Sequence, residues 1–96
     1  MTELDIRCET SPGGDGWTCH VTITQDGGMR TDHVVGVSAS DIERLDPGAR
    51  DPHVLVDRSF RFLLAREPAS SILRSFDLPV IGRYFPEYEA EIRRRV

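Results

Sequence analysis

Ninety-six residues, 39% apolar and 29% charged, are enough for one domain (1–96), leave little room for a second core, and are too apolar for wholesale disorder. A net charge of −4 excludes a strongly basic nucleic-acid binder, and no apolar run nears the ~18 residues of a membrane-crossing helix. The opening MTELDIRCET is acidic and lacks the blocks of a signal peptide, so a soluble, cytoplasmic setting is expected.

Leu4, Ile6 and Cys8 alternate with Asp5, Arg7 and Glu9, as in a short strand with one dry face. A turn follows at Ser11-Pro12-Gly13-Gly14-Asp15-Gly16. Trp17, Cys19, Val21 and Ile23 then alternate with Thr18, His20, Thr22 and Thr24 in the clearest strand of the chain. Asp26-Gly27-Gly28 closes a hairpin whose loop length decides the register. A two-residue loop sets Val21 opposite Asp32, whereas a three-residue loop with Gly28 left-handed sets Val21 opposite His33 and Cys19 opposite Val35. The second keeps more apolar residues on the dry face and is the expected one.

Ser40-x-x-Glu43 has the form of a capping box opening a short helix, Asp41 to Leu45. Asp51-Pro52 starts the longest helix, about Pro52 to Arg66. Its buried face is Leu55, Val56, Ser59, Phe60, Phe62 and Leu63, with Asp57 and Arg61 outside as an i,i+4 pair. Phe60 and Leu63 are expected to pack against Trp17 and Val21. After Pro68, a second short helix from Ala69 to Phe76 presents Ile72, Leu73 and Phe76. Asp77 caps a third, with Pro79 in its first turn. Pro86 opens the last helix, with Phe85, Tyr88, Ile92 and Val96 as its stripe and Glu89–Arg93 and Glu91–Arg95 as its pairs. The expected fold is α+β: an N-terminal antiparallel sheet of about three strands (hairpin 17–37) packed by about four C-terminal helices. The edge from Thr31 to Val37 is left free to pair with a second copy.

All twelve basic residues are arginine. A GC-rich coding sequence explains that composition, and bidentate anion recognition is the sharper alternative. Residues 1–48 hold three arginines against nine acids, and residues 49–96 hold nine against seven. Neither half is a basic face.

No motif with a mechanism is present: no phosphate loop, no GxSxG elbow, no HExxH. Cys8 and Cys19 follow no CxxC pattern and are expected as buried free thiols. Cys8, Cys19 and His33 share a face and form the one arguable metal set, without zinc-ligand spacing. Cys19–His33–Asp32 fails as a triad, because neighbours on a strand face apart. No cofactor, metal or small-molecule substrate is expected. The best functional candidates are Arg83, Tyr84 and Tyr88, since tyrosine and arginine are enriched at protein-binding surfaces. The competing reading for Phe85 and Tyr88 is that they cap the core.

The run SFRFLLAREPASSILRSFDLPVIGRYFPEYEAEI resembles a family of small, uncharacterised bacterial proteins of about 100 residues. Its pattern is SFxFLLxREPxxSILxxFDLxxIxxYFPEY, covering roughly residues 54–92. The resemblance implies a natural single domain and no particular chemistry. The expected function is a non-enzymatic binding or regulatory module acting through protein contacts, as a homodimer in one form. One alternative is a nucleic-acid or anion binder using Arg58, Arg61, Arg66, Arg74 and Arg83. The other is an enzyme with an unrecognised site.

Overall fold

The computed structural model describes residues 2–94. Three antiparallel strands come first: β1 (Glu3–Thr10), β2 (Gly16–Thr24) and β3 (Arg30–Ser38). Val21 stands opposite Ile6 on one side and His33 on the other; Cys19 stands between Cys8 and Val35. This is the register of the three-residue loop. The Gln25 N–H donates to the Met29 carbonyl at 2.8 Å, leaving Asp26, Gly27 and Gly28 to turn the chain. Gly27 (φ 84°) and Gly28 (φ 80°) both occupy the left-handed region, where a side chain would be strained.

Helix α1 (Ala39–Leu45) begins as soon as β3 ends, two residues earlier than the sequence suggested. The cap is Ser38 and not Ser40. Its hydroxyl accepts from the Asp41 N–H at 3.1 Å, and the Asp41 carboxylate accepts from the Ser38 N–H at 3.0 Å. Aspartate completes the reciprocal pair as glutamate would, and it lies where the strand delivers the chain. Helix α2 (His53–Leu64) buries the expected six residues, and Arg61 pairs with Asp57 at 3.2 Å. Asp51 accepts from the His53 N–H at 2.9 Å.

The segment 69–76 departs from expectation. It makes a single 3-10 turn (Ala69–Ser71) and then a fourth strand, β4 (Ser75–Asp77), lying parallel to β3. The Val34 N–H donates to the Arg74 carbonyl at 2.7 Å and the Leu78 N–H to the Gly36 carbonyl at 2.9 Å. A helix this short is marginal alone, so pairing with a ready sheet edge decides the outcome. Asp77 therefore belongs to β4 and does not cap α3 (Val80–Tyr84). The sheet order is β1-β2-β3-β4, and strands and helices are interleaved instead of divided between the two halves. Much of the β3 edge expected to be open is occupied: β4 pairs with Val34–Gly36. The last helix, α4, spans Tyr88–Arg93. Glu89 pairs with Arg44 of α1 at 3.2 Å. Val96 and the Glu91–Arg95 pair lie outside the described residues.

Helices cover one face of the sheet and leave the other polar. Phe60 is wholly buried, and its aromatic neighbours are His33 (5.5 Å between centroids) and Phe76 (6.0 Å); Trp17 lies half-buried at the sheet end. His33 is satisfied at both nitrogens. Nδ1 donates to the Leu73 carbonyl at 2.7 Å, and Nε2 is hydrogen-bonded to the Thr31 hydroxyl at 2.9 Å.

Cys8 and Cys19 form a disulfide, which corrects the free-thiol expectation. Directly opposite positions on one face bring the two sulfurs together, and alternation alone does not reveal cross-strand pairing. Such bonds are rare in a reducing cytosol, so this one weighs against a cytoplasmic setting.

Tyr88 is fully buried beneath α2. The Ser59 hydroxyl donates to the Leu55 carbonyl at 2.7 Å, so the Tyr88 hydroxyl donates to Ser59 Oγ at 2.6 Å. Burial pushes the Tyr88 phenol up from 10.0 to about 12. Because the folded value is the higher one, its contribution is intact below pH 10 and is lost as pH climbs through 12. At about 1.4 kcal/mol per unit, the expected loss is roughly 3 kcal/mol. Urea unfolding at pH 9 to 12 should show this slope in the wild type and a flatter one in Tyr88→Phe.

Candidate functional site: an apolar groove beside Tyr84

Pro79 and Pro86 bracket α3. Pro79 occupies its N-terminal boundary, and Phe85 turns extended (φ −130°, ψ 92°), as a residue before proline prefers. The five-residue helix that results turns Ile81 into the core, while Val80 and Tyr84, four apart, share the face beside it. With the last turn of α2 and with β4, that face encloses a groove of about 270 Å³. Leu63, Ile72 and Ile81 form its buried floor, and Phe76, Val80 and Phe85 are half-buried walls. Glu67, Ser71, Leu73 and Tyr84 complete the rim. Tyr84 is 66% exposed and Leu73 46%, large apolar areas left in water next to a ready concavity.

The sequence-derived candidates separate here. Tyr84 lines the groove, and Arg83 is exposed beside it in α3. Tyr88 is in the core, with its hydroxyl bonded to Ser59, and offers no surface to a partner. Ile72, Leu73 and Phe76, expected on the face of a second short helix, line the groove from the 3-10 turn and β4 region instead. The usable signal was the spacing of apolar bursts between Pro68, Pro79 and Pro86, which forces short elements that cannot all bury their large residues.

The arginines proposed as an anion surface are largely engaged. Arg58 donates to the Arg94 carbonyl at 3.0 Å, and Arg61 pairs with Asp57. Arg66 pairs with Glu87 at 3.3 Å and lies 3.6 Å above the Phe62 ring. The Glu87 carboxyl is held below the usual range, first by a hydrogen bond to its own backbone and then by Arg66. Arg74 and Arg83 make no ion pair among the described residues.

A polar cleft at the Trp17 end of the sheet gathers Asp15, Asp41 and Asp77. Asp41 already holds the α1 cap and contacts Arg44 at 3.4 Å. Among the described residues no set of three or more His, Cys, Asp or Glu side chains is placed to hold a metal ion, and no helix is long and apolar enough to cross a membrane. No family model, curated protein or solved structure matches the chain.

Proposed function

We propose that this chain is a non-enzymatic binding module that receives an apolar segment of another protein in the groove beside Tyr84. The observation that carries the reading is the pairing of a concavity with exposed Tyr84 and Leu73 at its rim. Apolar anchors seated in desolvated pockets supply most of the energy of protein contacts, and tyrosine is prominent among them. Engagement of Arg58, Arg61 and Arg66 within the chain supports a protein partner over a nucleic acid.

Selection of a random peptide display library against the purified protein tests this. Peptides with large apolar residues should be enriched, bind in the micromolar range, and lose about tenfold or more in affinity to Tyr84→Asp or Leu73→Asp. Failure to enrich any peptide, or binding unchanged in both variants, contradicts the reading.

A further inference from the structure

With much of β3 covered, β1 is the long free edge of the sheet, and its chemistry fits a second copy of itself. Which backbone groups face outward follows from the pairing. The Gln25 N–H bonds Met29, so odd-numbered residues of β2 bond β3 and its even-numbered residues bond β1. Thr22 and His20 lie opposite Asp5 and Arg7, so those two turn their amides inward to the sheet. The Cα–Cα distance of 4.0 Å between Cys8 and Cys19 is that of a close, non-hydrogen-bonded pair, which agrees. The outward N–H and C=O groups therefore belong to Leu4, Ile6 and Cys8.

We infer that two copies pair antiparallel through β1, with Ile6 on the twofold axis, to make one continuous sheet. In that register Ile6 bonds Ile6 of the second copy and Leu4 bonds Cys8, all through the outward-facing groups. Leu4 and Cys8, only half-buried in the single chain, gain cover on the inner face. Asp5 then stands opposite Arg7 of the second copy, twice by symmetry, at the close positions where side chains approach most. Both are exposed, and neither makes an ion pair among the described residues. Shifting the axis to Arg7 sets Arg7 against Arg7 and Asp5 against Glu9, and an axis at Asp5 sets Asp5 against itself. The preferred register has one unfavourable pairing, Glu3 against Glu9, also twice by symmetry, at its two ends, where Glu9 already contacts His20 at 3.2 Å. The surface is distinct from the groove.

Sedimentation equilibrium from about 1 µM to 1 mM tests the inference. The wild type should dimerise, Arg7→Glu and Asp5→Arg should each weaken the dimer about tenfold or more, and the double swap Asp5→Arg/Arg7→Asp should restore it. Tyr84→Asp should leave dimerisation unchanged. A wild type monomeric throughout overturns the inference and leaves the groove reading standing. A dimer indifferent to both single reversals also overturns it, and so does one lost in Tyr84→Asp, which would move the self-contact to the groove.

Discussion

Replacing Phe60 by alanine should destabilise the protein by about 3–5 kcal/mol. Phe60 has no exposed surface and stands where α2 meets both the hairpin, through His33, and the parallel strand, through Phe76. Alanine removes the ring and leaves a cavity beside His33 and Phe76 that the surrounding strands cannot fully close. Against a total of about 5–15 kcal/mol, that loss threatens the fold. Tyr84→Ala removes a side chain of similar size and should cost no more than about 0.5 kcal/mol, because Tyr84 is 66% exposed. Urea denaturation of both variants measures the contrast. Equal effects would contradict the placement of the core and of the groove rim together.

Protein purified without reductant should yield no reactive thiol even when denatured, since Cys8 and Cys19 are joined. Reduction should then lower stability by about 3 kcal/mol, the unfolded-chain entropy regained when a loop of about a dozen residues is released. The bond fastens β1 to β2, and among the described residues of the single chain β1 pairs with no other strand, so it should show the largest rise in amide exchange on reduction. Two thiols titrating per denatured chain, or a melting temperature unchanged by reduction, would restore the reading of Cys8 and Cys19 as packing residues.

The hairpin was legible because alternation fixes which face is dry, and a one-residue slip would have turned Val21 and Cys19 outward. The buried face of α2 was legible for the same reason, at helical period. β4 was not. Three residues carry too little pattern to announce a strand, and Ser75–Asp77 is extended only because β3 offers it hydrogen bonds. The disulfide is likewise a property of two strands paired, each of which reads as an ordinary apolar alternation by itself. Residue type alone points to Arg83, Tyr84 and Tyr88 together, because sequence proximity does not distinguish the outward face of α3, where Arg83 and Tyr84 are exposed, from the inward face of α4, where Tyr88 is buried. The groove itself depends on β4 and could not be seen before that strand was placed.

The most direct test of the binding reading is amide chemical-shift mapping of the protein titrated with a peptide selected against it. Perturbations should concentrate at Leu63–Glu67, Ser71–Phe76 and Val80–Phe85, and should vanish in Tyr84→Asp while its remaining spectrum stays native. Perturbations centred elsewhere, on β1 or at the Trp17 cleft, would contradict the assignment of the groove as the binding face.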